Sequence, residues 1–438
     1  MIATETYSNY LAILKSELVP ALGCTEPIAV AYAAAKARVA LGAMPERAEL
    51  RCSGNIIKNV KGVTVPNTGG LKGVAAAAVA GVVGGDAEKG LEVLAGMGPA
   101  EIEETGRLLA AGFCSVRLAE GVEGLFIEAR VFAGKDSAEV VIEGTHTNVS
   151  RVSRNGELLA GAAPGPGPGP AATCGDASGP PPAAGKGDRK SLNVRDILEF
   201  ARAVRLCDVG ELIAGQVRMN SAISDEGLSR HYGVDVGKTL LKCFGGDVKT
   251  RAKARAAAGS DARMSGCAMP VVINSGSGNQ GMTASLPVIE YAKEFGASEE
   301  RLCRALVLSN LVAIHQKTTI GRLSAYCGAV SAACGAGAGI TYLSGGGYEE
   351  ISRTIINTIA NVGGMVCDGA KPSCAAKIAT AVDAAIMAHH LSAEGKVFGE
   401  GEGLVMGGVE GTIASVGRMG GVGMRATDLE VLRIMTGS

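Results

Sequence analysis

The sequence predicts an α+β protein: a mostly helical, Gly/Ala-rich larger domain plus a smaller α+β domain with a mainly antiparallel sheet. Three observations predict it. Helix-spaced apolar patterns dominate beyond Leu192, and short alternating runs cluster between about 46 and 160. Gly reaches 64 residues against 7 Phe, 8 Tyr and no Trp, so elements must pack by close backbone approach rather than through large side-chain layers. The 438 residues, at roughly 150 per domain, suggest two to three domains with room for a buried core. With 47% apolar and 19% charged residues, native disorder of the whole chain is excluded. The 42 Lys+Arg against 43 Asp+Glu leave no surplus charge for a phosphate backbone or an anionic membrane, so no nucleic-acid partner is expected.

In chain order, residues 6 to 19 read as an amphipathic helix. Gly23-Cys24-Thr25-Glu26-Pro27 interrupts, and an Ala-rich helix runs from Pro27 to about Leu41 with Pro in its first turn. Cys24 is therefore placed just ahead of a helix N-terminus. Strands follow at Ala48 to Cys52, Cys114 to Ala119, Gly124 to Phe132 and Ala138 to Glu143, with helices near 71 to 83 and 99 to 111. Residues 161 to 190 hold 8 Gly and 7 Pro in 30 positions, a composition that cannot offset its ordering entropy, and are expected to be a disordered insertion in which Cys174 has no chemical role. Helices are expected at 193 to 205, 209 to 217, 234 to 243, 284 to 295, 298 to 316, 348 to 362 and 373 to 391. The implied division is 1–45 (helices packing on the larger domain), 46–160 (α+β), 161–190 (insertion) and 191–438 (helical). The stretch Leu323 to Leu343 is uncharged but mostly Ala, Gly, Ser and Cys, so no membrane span is expected. The start of the chain shows no basic segment followed by an apolar one, and the cytoplasm is the expected location.

Twelve cysteines in a reducing compartment are core residues, reactive thiols or metal ligands. Three stand out: Cys327, Cys367 and Cys374, separated by 40 and 7 positions. Cys367 falls in a turn, and Cys374 in the first turn of a helix whose start is marked by Pro372 and Ser373. Backbone N–H groups at such a terminus favour an anionic ligand, and a thiolate-held cluster is one. Three thiolates would leave one iron of a [4Fe-4S] cube without a protein ligand, free to act as a Lewis acid. The spacing alone also fits ordinary buried cysteines, and a structural zinc site would want a fourth ligand. Cys24 differs: the helix N-terminus is expected to lower its pKa towards about 7, giving a usable base or nucleophile. Cys52, Cys114, Cys207, Cys243, Cys267, Cys303 and Cys334 have no partner at ligand spacing and are expected in the core. The run Ile273-Asn274-Ser275-Gly276-Ser277-Gly278-Asn279-Gln280-Gly281 suits either a structural turn or a pocket for the carboxylate and ammonium of a small polar substrate, and it is not a nucleotide-binding fingerprint. Arg322 and Lys371 lie near the candidate ligands in sequence. Of the five histidines only His146 is a candidate pocket residue, and Lys249, Arg251, Lys253 and Arg255 read as a solvated helix face.

These segments together resemble the iron-sulfur L-cysteine desulfidases, a group related to the α-chain of iron-sulfur L-serine dehydratases. The carriers are Gly23 to Pro27, Cys52-Ser53-Gly54-Asn55-Ile56-Ile57-Lys58-Asn59, Ile273 to Gly281, Ile320-Gly321-Arg322-Leu323-Ser324-Ala325-Tyr326-Cys327-Gly328, and Cys367 to Cys374. The resemblance covers nearly everything except the Pro/Gly insertion. It implies a [4Fe-4S] cluster on Cys327, Cys367 and Cys374, Cys24 as proton acceptor, and a cluster-binding catalytic domain at 191–438. The implied reaction is β-elimination of L-cysteine to hydrogen sulfide, pyruvate and ammonia. Asn274, Ser275, Ser277, Asn279 and Gln280, with Arg322 or Lys371, are then the expected substrate contacts, and the partner is a small amino acid, with a homo-oligomer left open.

Three other readings fit the same residues. The same architecture acting on L-serine is one, since an open iron binds oxygen as well as sulfur. A pyridoxal-phosphate lyase is another, suggested by Ser277-Gly278-Asn279 but lacking a lysine in a recognisable Schiff-base context. A non-catalytic metal- or amino-acid-binding protein with structural cysteines is the third.

Overall fold

The computed structural model describes residues 2–122, 124–161 and 187–437. The chain begins with α1 (Thr4–Glu17), β1 (Pro20–Leu22), α2 (Thr25–Leu41), β2 (Arg47–Cys52), α3 (Gly54–Lys61), α4 (Val74–Gly84) and α5 (Pro99–Ala110). Strands β3 (Cys114–Leu118), β4 (Phe126–Ala133), β5 (Asp136–Glu143), β6 (Val149–Arg154) and β7 (Glu157–Gly161) complete the first half. The second half runs α6 (Val194–Ala203), α7 (Leu206–Ser229), α8 (Val236–Phe244), α9 (Val248–Met264), β8 (Pro270–Val272), α10 (Gly278–Glu294), α11 (Glu299–Ile320) and α12 (Gly328–Leu343). It ends with α13 (Tyr348–Val362), α14 (Cys374–Ala393), α15 (Gly408–Arg418) and α16 (Arg425–Thr436). The protein is thus α+β and mostly helical.

The larger sheet has the order β3-β2-β4-β5-β6-β7, antiparallel throughout except where β3 runs parallel to β2. Parallel pairing needs a long crossover, which α3, α4 and α5 supply. Its inner face, Leu50, Ile127, Ala129, Val131, Val140 and Ile142, packs on α2, whose residues from Ile28 to Ala37 are nearly all buried. Ala is the commonest residue there because α4 lies so close that a Cβ on Gly81 would stand 2.1 Å from the Ala31 carbonyl oxygen. The helical half packs in the same manner, α12 lying against α10, α11, α13 and α14 through Gly335, Gly337 and Gly339.

Several sequence expectations need correction. Strands β6 and β7 and helices α3, α12, α15 and α16 were not anticipated, and α7 extends from Leu206 to Ser229 instead of 209 to 217. The expected all-helical second half contains β8, which pairs antiparallel with β1 through Ala21↔Val271. Three-residue strands carry too short a pattern to be read. Of the expected insertion at 161–190, residues 162–186, Cys174 included, lie outside the described residues; Gly161 ends β7, and Asp188 is tied to α1 by the Asn9 amide (2.9 Å). Cys207 and Cys243 are exposed, not core. The basic run is only partly solvated: Arg251 pairs with Glu290 and Glu294, Lys253 with Asp383, and Arg255 with Asp225 and Glu290. Among the described residues, no helix is long and apolar enough to cross a membrane.

Candidate active site

The β1–β8 pair is what joins the two ends of the site. It delivers Gly23 and Cys24 on one side and Ile273 to Ser277 on the other to the same edge. Gly23 turns the chain with φ +58°, and the Pro66 ring lies where a Cβ would stand. Asn274 and Ser277 exchange backbone hydrogen bonds (3.1 and 3.0 Å) around Ser275 (φ +51°) and Gly276 (φ +81°), a tight turn with both central residues left-handed. Holding a serine in that conformation costs energy that Gly would not, and such strain collects at functional sites. Thr25 Oγ1 donates to the Gly276 carbonyl at 2.8 Å, locking the start of α2 to this turn.

A second short pairing closes the separation of 40 between the first two candidate ligands. Tyr326 and Val366 form an antiparallel bridge; Cys327 N donates to Met365 O (3.0 Å) and Cys367 N to Ala325 O (2.6 Å), which sets Cys327 and Cys367 side by side. The segment then turns at Gly369 (φ +93°), pressed so closely on α3 that a Cβ would lie 2.4 Å from the Lys58 carbonyl oxygen. Cys374 opens α14. The buried Lys58 explains why the α3 segment belongs to the site: its ammonium pairs with Asp428 and donates to Cys367 O at 3.4 Å.

Cys24, Cys327, Cys367 and Cys374 line one cavity, together with Glu26, Asn59, His146, Arg263, Ser275, Ser277, Asn279, Gln280, Lys317, Arg322, Tyr326 and Lys377 among others. Four helix N-termini meet there: Cys24, Ser277 and Cys327 are the N-caps of α2, α10 and α12, and Cys374 is the first residue of α14. Each presents the positive end of a helix. The lining adds four cationic residues, Arg263, Lys317, Arg322 and Lys377, against the single carboxylate Glu26. The cavity therefore favours anions. Burial pushes the Cys327 thiol up to about 12, with Cys367 adding to the rise, and burial also raises Cys374. Such thiols become thiolates together only beside a strong positive centre. Among the described residues no three His, Cys, Asp or Glu side chains converge as closely as one metal ion requires. Cys327, Cys367 and Cys374 nonetheless line one cavity.

Most of the residues expected to contact substrate lie at the cavity. Ser275, Ser277, Asn279, Gln280 and Arg322 line the cavity. Asn274 lies beneath it, donating to Asn310 Oδ1 at 2.9 Å. Lys371 is outside the lining, held by Asp368, and Lys377 takes its place at the wall. The expected lowering of the Cys24 pKa is reversed: burial raises it well above the usual thiol value and the Glu26 carboxylate adds to the rise, outweighing the Arg263 guanidinium and the Glu26 backbone N–H. Its Sγ–H donates to Glu26 Oε2 at 3.1 Å. Asn59 Nδ2 donates to the same carboxylate at 3.3 Å; Thr25 Oγ1, whose one proton goes to the Gly276 carbonyl, lies 3.1 Å from it.

Sequence reasoning passed over Glu26, Asn59, Arg263, Lys317 and Lys377. Arg263 and Lys317 sit within α9 and α11, where a charged residue ordinarily faces water; here they are only 2% exposed. Lys317 faces the thiols, and burial lowers its pKa to about 8.

His146 lines the cavity as expected. Burial lowers it to about 4, as it does His389, which is bonded to Thr341. Both are neutral in the fold and bind protons more readily once unfolded, so stability is complete above about pH 6.5, the unperturbed value, and falls as pH drops towards 4. His389→Gln, remote from the cavity, is expected to shallow that fall; urea midpoints between pH 7.5 and 4 measure it, and an unchanged slope refutes it.

The fold and this cavity define a class: an α+β protein that gathers thiols from distant segments around a small, electropositive pocket. The chain matches the serine dehydratase alpha chain family over residues 88–433 and belongs to it. UPF0597 proteins of Desulfitobacterium hafniense and Lachnoclostridium phytofermentans are each 52% identical over 429 residues, covering 98% of this chain and 96% and 99% of theirs. A UPF0597 protein of Treponema denticola is 45% identical over 434 residues, covering 98% of each chain.

Proposed function

We propose that this protein is an iron-sulfur lyase that eliminates the β-substituent of a small L-amino acid, with L-cysteine as the preferred substrate and hydrogen sulfide, pyruvate and ammonia as products. The observation that carries it is the convergence of Cys327, Cys367, Cys374 and Cys24 on one anion-favouring cavity. The three cysteines at the bridged loops would hold a [4Fe-4S] cluster, and Cys24 stays free. When bound, such a cluster has one iron without a protein ligand and supplies a Lewis acid for the departing group.

The remaining work falls to the chain. The Cys24 proton passes to Glu26 Oε2, 3.1 Å away, and the thiolate Sγ then takes the substrate α-proton. Asn59 holds the carboxylate that receives the first proton. Ser275, Ser277 and Gln280 supply hydroxyl and amide groups to the polar end of the substrate. His146, neutral and buried, adds no positive charge against the ammonium group.

L-Serine is the second reading, favoured by the family match; hydroxide would then leave in place of hydrosulfide. Anaerobic purification with iron and sulfide analysis, followed by assays of sulfide and pyruvate from both amino acids, tests the two. Bound iron with faster turnover of L-cysteine is the expected result. Faster turnover of L-serine reverses the choice, and absence of iron after anaerobic reconstitution removes the proposal.

A further inference from the structure

Arg263 sits at the end of α9 with its guanidinium in the cavity wall and almost no solvent contact. Nε donates to Gly23 O at 2.9 Å and Nη1 to Asn279 Oδ1 at 3.1 Å. Nη2 is buried without a hydrogen-bond partner, and among the described residues no carboxylate lies within ion-pair distance. A buried guanidinium without an anion costs several kcal/mol, yet the fold preserves the space for it: a Cβ on Gly278 would stand 2.4 Å from Arg263 Nε.

Two of the three other cations of the wall are paired with carboxylates. Arg322 pairs with Glu17 at 2.6 Å, and Lys377 pairs with Asp368. Lys317 faces Cys327 and Cys367. Arg263 lies beside Cys24, through its bond to Gly23 O, and beside Asn279 in the first turn of α10. From this geometry we infer that Arg263, with Asn279 holding it, is the receptor for the substrate's α-carboxylate. Its free N–H groups, the two on Nη2 and the second on Nη1, form the planar fork that matches a carboxylate. Seating the carboxylate there puts the adjoining α-carbon next to Cys24, the group that must reach its proton.

This rests on the amino-acid lyase reading and deepens it, and the test separates the two. Wild type and Arg263→Gln are compared for turnover of L-cysteine and of its methyl ester, and for binding of unreactive L-alanine by calorimetry. Wild type is expected to prefer L-cysteine over the ester by at least 100-fold in kcat/KM. The variant is expected to lose L-cysteine turnover mainly through KM, to discriminate less than 10-fold, and to lose L-alanine binding. Asn279→Asp, which leaves the arginine in place but offers it a competing carboxylate, is expected to raise KM for L-cysteine by more than KM for the ester, and it serves if Arg263→Gln does not fold. Wild type handling ester and acid alike, or variants losing both equally, overturns the inference while leaving the lyase reading intact. L-Alanine binding that depends on Arg263 in a protein with no lyase activity supports the inference and overturns the lyase reading.

Discussion

Replacing Cys327 by alanine is expected to abolish iron retention and to lower kcat for L-cysteine by at least about 10³-fold. A Lewis-acidic metal contributes several kcal/mol to stabilising a departing anion, and each 1.4 kcal/mol is a factor of ten in rate. The effect should be larger than that of an ordinary buried-cysteine substitution, and the structure supplies the comparison. Cys334 is fully buried two turns along the same helix, α12, but is not part of the cavity wall. Cys334→Ala removes only one sulfur from the packing and is expected to cost on the order of 1 kcal/mol or a little more in stability while keeping iron and turnover. Iron analysis and steady-state assays of the two variants side by side decide the matter. If Cys327→Ala binds as much iron as the wild type, the three-cysteine assignment fails; if both variants lose iron equally, the loss reflects folding.

Among the twelve cysteines the candidate ligands are marked out more by their neighbours than by their spacing. Pro372 and Ser373 announce a helix start before Cys374, and the structure has α14 begin there. Cys24 was legible in the same way, from Pro27. What brings these segments together was not legible. The β1–β8 pair and the Tyr326–Val366 bridge are three residues and one residue long, below any detectable period, and they are set by tertiary packing rather than propensity. The cations were hidden for another reason. Arg263 and Lys317 obey helix propensity on helices of mixed composition, and only the meeting of α9 and α11 with the Gly-rich turns makes their charges interior. The same limit explains the Cys24 error: a helix terminus can be read from a sequence, but burial beside Glu26 cannot, and burial was the larger effect.

The second large effect concerns that pair. Cys24→Ala is expected to lower kcat by about 10²–10⁴-fold, the usual contribution of a positioned general base, with iron content unchanged, because Cys24 is not among the three expected ligands. Solvent deuterium should no longer exchange into the α-position of L-cysteine in this variant. Glu26→Gln separates two roles. It takes away the acceptor 3.1 Å from Cys24 Sγ, so kcat should fall by about ten- to a hundredfold. It also removes one of the two influences that raise the thiol's pKa, leaving burial, the larger one. In the wild type the proton moves within the Cys24–Glu26 pair, so kcat does not wait on ionisation of the thiol to solvent; in Glu26→Gln it does, and a rising limb should appear at alkaline pH, above that of a free thiol near 8.5 because burial remains. A pH profile that does not change in Glu26→Gln would mean that Glu26 is not the acceptor of the Cys24 proton. A Cys24→Ala variant that still exchanges the α-proton at the wild-type rate would transfer the base to another group in the cavity, with Lys317, the buried amine of the wall, the first to examine.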